Sequence, residues 1–183
     1  MGRLTIGLYN TYDPKRFAEA HRRALVRAGP IALAFDSNLV TFGFPYSNEL
    51  KTAEEIATWA AGTTSIGEGG EYLIELAKKG RFSTFPFVER GFPPQFGEIV
   101  ITTRKPYDGR KVSARWAANQ LSHGISLLLL FGLGPHGLDK KTMDIGRYHL
   151  DVTGKGYSLE TCTAIGAVPS SIMAYLDCLI NRE

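Results

Sequence analysis

Cysteine is scarce: Cys162 and Cys178 are the only two in 183 residues, and they form no Cys-x-x-Cys pair. That excludes a disulfide scaffold and argues against a structural zinc site, so both thiols are expected to be reduced in a cytoplasmic protein. His21, His123, His136 and His149 show no ligand-like spacing, and no metal is expected. Long apolar runs are missing too. The longest, Ile125 to Leu133, is broken by Ser126 and Gly132 and falls well short of the roughly 20 residues of a membrane-spanning helix. Near Met1 there is no apolar core of a signal peptide, and Ile6 stands where myristoylation prefers Ser or Thr. No membrane partner, export or lipid anchor is expected. Charge of one sign is lacking as well. Lys and Arg total 21 against 18 Asp and Glu, a net +3 and a pI near 8.9, which permits an acidic partner without demanding one.

What is present is an ordinary globular composition, 44% hydrophobic and 21% charged, enough for one core, so a single domain is expected over residues 1–183. Glycine is abundant at 20 residues and clusters between Gly62 and Gly70, between Gly132 and Gly137, and at Gly154 and Gly156. Those clusters are where function is sought.

Arg3 to Tyr9 reads as a strand, Asp13-Pro14 as the start of a helix through Ala28, Gly29-Pro30 as its stop, and Ile31 to Phe35 as a second strand. Strand, helix and strand make a βαβ unit, hence a parallel sheet with flanking helices. From about 37 to 96 the pattern reads as an irregular insertion, with helices near Thr52–Ala61 and Gly70–Lys79 and an aromatic, proline-rich stretch from Phe82 to Phe96. Further on, the pattern predicts strands over Glu98–Thr103, Ser126–Phe131 and Tyr148–Val152. It predicts helices over Ser113–Ser122 and Ser158–Asn181. The apolar strand Ser126–Phe131 is expected at the sheet centre.

Gly132-Leu-Gly134-Pro-His-Gly137 follows that strand and formally matches the dinucleotide fingerprint. Its late position, Pro135 inside it and the short segment after it disfavour a nicotinamide cofactor; the alternatives are a ligand loop or a plain tight turn. Tyr148 to Ala164 joins a strand to a helix through Gly154 and Gly156, and Ser158 can serve as an ordinary N-cap.

Leu128 to Leu138 followed by Ser158-Leu-Glu-Thr-Cys-Thr-Ala164 resembles the second and third motifs of the SPOUT superfamily of knotted RNA methyltransferases. Asn10, Asp13-Pro14, Arg22-Arg23-Ala24 and Gly29 are similar to the first motif of its SpoU-like branch. The order of the three motifs identifies the chain as a divergent, archaeal-type member. The resemblance implies an α/β fold with a C-terminal deep trefoil knot and an S-adenosyl-L-methionine pocket. That pocket would be formed by Phe131, Gly132, Leu133, Gly134, Gly137, Leu150, Asp151, Val152, Gly154, Ser158, Leu159 and Cys162. It also implies an RNA substrate (tRNA or rRNA), a homodimer joined through the C-terminal helix, and catalytic roles for Arg22 and Asn10.

Two departures stand out. The glutamate of the SpoU-like second motif falls on Gly134, and the asparagine of the Ser-Leu-Asn helix start on Glu160. Glu160 either takes over an acidic catalytic role or only satisfies its helix end. The methylated atom stays open between ribose 2′-oxygen, base nitrogen and a protein side chain. Clusters at Lys15–Arg27, Lys78–Arg81 and Arg104–Arg115 supply basic surface for RNA, and the 37–96 stretch is expected to contact substrate or cover the cofactor. The rival readings are a knotted RNA- or protein-binding module without catalysis and a dinucleotide-dependent oxidoreductase.

Overall fold

The computed structural model describes residues 1–62 and 69–181. The strands are β1 (Leu4–Tyr9), β2 (Asn38–Phe42), β3 (Phe82–Phe85), β4 (Glu98–Thr102), β5 (Lys111–Val112), β6 (Leu127–Gly132) and β7 (Tyr148–Leu150). The helices are α1 (Glu19–Ala34), α2 (Ala53–Ala61), α3 (Gly69–Lys78), α4 (Ala114–Ser122), α5 (Lys140–Ile145) and α6 (Thr161–Ile180). All seven strands run parallel in the order β3-β2-β1-β6-β4-β7-β5. The near-continuous apolar β6 lies fourth of seven, at the centre, as expected for a strand buried on both faces.

Alternate residues of the strands serve two unequal layers. Leu4, Ile6, Leu8, Leu127, Leu129 and Phe131 face a core shared with α1, α2, α3, α4 and α6. Val40, Phe42, Leu128 and Leu130 face a smaller cluster closed by Phe85, Phe92, Phe96, Tyr107 and Met143. Gly7 makes room there, since a Cβ at this position would lie 2.8 Å from Cδ1 of Leu128.

The structure corrects several boundaries. The Asp13 carboxylate accepts the backbone N–H groups of Lys15 and Arg16, at 2.8 and 3.0 Å, so Pro14 opens a separate turn and α1 starts at Glu19. Pro30 does not end the helix. Ala28, Gly29 and Ala32 are buried, and a Cβ on Gly29 would sit 3.0 Å from the Leu73 nitrogen of α3. Tertiary packing carries α1 past the proline, so Ile31–Ala34 is helix and the second strand comes later, at Asn38–Phe42. The 37–96 stretch is no irregular insertion: β2 and β3 form one wing of the sheet, and α2 and α3 cover it. Gly69 and Gly70 open α3, while the glycine at 67 lies outside the described residues.

Candidate cofactor and acceptor cavities

In a parallel sheet the strands deliver their following loops to one edge, and ligands gather there. The carboxyl ends of β6, β4 and β7 are neighbours on that edge. The loops that leave them enclose a cavity of about 630 Å³, a size that holds a drug-sized molecule. Its apolar wall is Phe131, Leu133, Leu150, Val152, Leu159 and Val168, and its rim carries Arg104, Lys105 and Tyr107.

Of the residues expected to hold the cofactor, Phe131, Gly132, Leu133, Gly134, Gly137, Leu150, Asp151, Val152, Ser158 and Leu159 all line this cavity. Gly154 and Cys162 are not among the lining residues. Gly154 turns the loop at φ 64°, a left-handed conformation that glycine adopts without strain. The half-buried thiol of Cys162 is pushed above its ordinary range by burial and by the Glu160 carboxylate, which keeps it protonated.

Two acidic residues of the site are already engaged. Asp151 accepts from the amide and hydroxyl of Thr153, at 3.0 and 2.7 Å, and from the amide of Gly156 at 2.8 Å. Partial burial pushes its carboxyl up, but those hydrogen bonds outweigh burial and hold it below the usual 3.8. Asp151 therefore shapes the 151–156 loop. Glu160, rather than Ser158, is the N-cap of α6, accepting the amides of Cys162 and Thr163 at 2.9 and 3.2 Å. Thr161 ties the same helix start to β6 by donating to the Gly132 carbonyl at 3.1 Å.

Asn10 and Arg22 have other tasks. Asn10 is buried at the end of β1, where its amide donates to the carbonyls of Asp13 and Gly43, both at 2.8 Å. Its Oδ1 accepts the Tyr12 amide at 3.0 Å and lies 2.9 Å from Nε2 of the buried His21. Because Nδ1 of His21 accepts the Ala18 amide at 3.0 Å, Nε2 carries the proton and donates to Asn10. Asn10's hydrogen bonds tie the loop after β1 to Gly43 and to His21 of α1, and the residue lines a smaller cavity at the end of that strand. Arg22 lies outside the cavity lining, its guanidinium bonded to the carbonyl of Ala60 at 3.1 Å and 4.7 Å above the Trp59 ring. It clamps α1 to the end of α2.

The family model described as a protein of unknown function, DUF531, matches residues 4–173. The chain belongs to the DUF531 family. An uncharacterized protein of Methanocaldococcus jannaschii is 44% identical over 173 residues, covering 94% of this chain and 95% of that one. Among solved structures, a probable methyltransferase from Bordetella pertussis superposes with a TM-score of 0.64 at 13% identity, covering 96% of each chain. The A. aeolicus TrmH/SpoU tRNA modifying enzyme gives 0.55 at 14% identity, over 98% of this chain and 78% of that one. An AdoMet-bound rRNA methyltransferase from Sinorhizobium meliloti gives 0.50 at 14% identity, over 96% and 57%. The DUF531 chain thus has the α/β fold of SpoU/TrmH-type methyltransferases.

Sequence reasoning on the DUF531 chain missed how the 102–107 segment closes the cavity. His149, buried at the end of the sheet, accepts the Tyr107 amide on Nδ1 at 3.1 Å and donates from Nε2 to the Met143 carbonyl at 3.1 Å. Arg110 holds the same end by donating to the carbonyls of Asp144 and Gly146, both at 2.9 Å. The available signal was Glu98–Thr103 read as a strand, whose following loop belongs beside β6. The dinucleotide fingerprint loses its basis, since only the six-residue α5, capped by Asp139, follows the glycines.

Proposed function

We propose that this DUF531 protein is an S-adenosylmethionine-dependent methyltransferase acting on RNA, working as a homodimer. The observation that carries the reading is one cavity that brings together the 131–138 and 158–161 segments, which fall within the stretches resembling the superfamily's second and third motifs, with the 150–152 segment between them. The residues present fit the cofactor. The apolar wall suits adenine, and Gly132 and Gly134 let the loop backbones around the cavity pack against one another. Arg104 and Lys105 stand on the rim to meet a carboxylate. When bound, S-adenosylmethionine would supply a methyl group already activated on a sulfonium.

The chain's own part is positioning and proton handling. Asp151 holds one loop in shape, Glu160 and Thr161 fix the start of α6 against β6, and His149 and Arg110 hold the rim. His136 is the titratable side chain shared by this cavity and a second one beside it, among the described residues. It is assigned the proton released by the acceptor nitrogen or oxygen.

The homodimer rests on α6. Ile165, Val168, Ile172 and Leu176 are buried inward against α1 and α4, so that apolar stripe is spent within the chain. Tyr175 and Ile180 stay exposed at 48% and 50% on the two flanks of that stripe, with Ala174 and Cys178 exposed between them beside Asp177, and a second copy docking on α6 would cover these apolar groups.

A knotted binding module without catalysis is the second reading, favoured by glycine at position 134 and by the capping role of Glu160. Transfer of labelled methyl from S-adenosylmethionine to archaeal tRNA or rRNA decides between them. Incorporation by wild type and its loss in His136→Ala support the enzyme. Cofactor and RNA binding with no incorporation supports the module.

A further inference from the structure

Beside the cofactor cavity lies a second one of about 480 Å³, and the two share His136, Gly137 and Leu138 as a common wall. It opens at the carboxyl ends of β1 and β6. The chain leaves β1 through α1 toward β2 on one side and leaves β6 through α5 toward β7 on the other, so this is the point where the sheet's winding reverses. A crevice at such a point is where α/β sheets take ligands.

Its outer lip comes from the segment after β3, through Phe87 and Glu89. The Phe87 ring is 40% exposed. It stands edge-on to the Tyr9 ring at 5.7 Å and packs over Gly43, where any Cβ would meet it. That leaves an anchored aromatic face turned to the cavity. Glu89 holds no hydrogen bond or ion pair among the described residues. Lys141 of α5 lines the same cavity, as does Asp139, whose Oδ1 is taken by the Thr142 amide at 2.7 Å.

We propose that this second cavity seats one unpaired RNA nucleotide, guanine in preference, with the base stacked on Phe87 and its edge read by Glu89. The assignment rests on the RNA methyltransferase reading for its substrate class. A carboxylate offers only acceptors. Guanine presents two adjacent donors, N1–H and the 2-amino group, to such an acceptor. Adenine and cytosine present one amino group each, and uracil sets a carbonyl on either side of its N–H. Stacking on Phe87 is indifferent to base identity and supplies affinity, while Glu89 supplies choice. Lys141 meets the 5′-phosphate.

The test titrates GMP, AMP, CMP and UMP separately into the full chain, followed by NMR shifts of assigned residues, with S-adenosylhomocysteine titrated in parallel. Wild type is expected to bind GMP several-fold more tightly than UMP, with shifts at Phe87, Glu89 and His136. Phe87→Leu keeps the apolar packing but removes the stacking face, and should weaken all four nucleotides by about tenfold. Glu89→Gln should bring GMP to the level of UMP while leaving S-adenosylhomocysteine affinity unchanged. Equal binding of the four nucleotides to wild type, or unaltered binding by both variants, overturns the proposal. So does the absence of any shift at millimolar GMP. Nucleotide binding as described without S-adenosylhomocysteine binding sustains the subsite and sinks the methyltransferase reading; the reverse pattern sinks the subsite alone.

Discussion

The amide of Gly134 donates to Oγ1 of Thr11 at 2.7 Å, and a Cβ at position 134 would lie 2.5 Å from the Thr11 carbonyl oxygen. The loop after β1 therefore fills the space that a side chain at 134 would need. The glutamate of the SpoU-like motif cannot be reinstated without moving that loop. Gly134→Glu is expected to lower stability by about 1–3 kcal/mol, the usual cost of overpacking, and to gain no activity. Thermal unfolding with a parallel methyl-transfer assay checks this; a stable and more active variant would refute it.

Asn10 and His21 act as one unit. Removing the Asn10 side chain leaves the His21 Nε2–H, the Tyr12 amide and two carbonyls short of partners, so Asn10→Ala should cost about 3 kcal/mol. Denaturant unfolding measures the loss. A variant as stable as wild type but inactive would return Asn10 to catalysis.

Burial lowers the pKa of both His21 and His149 below the ordinary 6.5. Asp13 opposes this at His21. At His149, bonds to Met143 and Gly146 and the Asp144 charge oppose it, while Arg110 adds to it. Each ring accepts a backbone amide on Nδ1, a bond that protonation would break. The unfolded chain then binds more protons than the folded one below about pH 6.5. Stability should be flat above that value and fall as the pH drops beneath it. Unfolding midpoints between pH 8 and pH 5 test this, and His149→Gln should show a shallower decline. A midpoint that rises on acidification would contradict the account.

Much of the architecture was legible because the pattern and the packing agree. The apolar run at Leu127–Phe131 can only be a central strand, and Thr52 and Ser113 each cap the helix that follows them, accepting amides at 3.1 Å. What was not legible depended on distant partners. Pro30 reads as a helix stop until Leu73 packs against Gly29. Ser158 reads as a cap until Glu160 is seen to reach the helix amides. The lining of the larger cavity follows the residues that the motif resemblance implied, and Phe87 was one of several aromatics that could stack on a base, whereas Glu89 lies in a stretch with no periodic pattern and is placed only once β3 joins the sheet.

Arg22 is a clamp in this structure. Arg22→Ala removes charged hydrogen bonds to the end of α2 and should cost about 1.5–3 kcal/mol, with S-adenosylhomocysteine affinity retained. Unfolding and calorimetry on the same preparation separate the two effects. Unchanged stability with lost methyl transfer would restore the catalytic role that the motif implies.

The outer face of α6 predicts the oligomer. Tyr175→Glu replaces an exposed apolar side chain of α6 with a charge and should convert a dimer to a monomer in sedimentation velocity. A wild type that sediments as a monomer at all concentrations would remove the dimer from the account.

Calorimetric titration of the folded protein with S-adenosylmethionine tests the central claim most directly. Binding at one site per chain, competed by S-adenosylhomocysteine, is the predicted result. Gly132→Ala should weaken it by tenfold or more, since a Cβ there would fall 2.8 Å from the Gly137 backbone and 3.0 Å from that of Leu138. Folded wild-type protein that takes up no S-adenosylmethionine would contradict the assignment of the cavity.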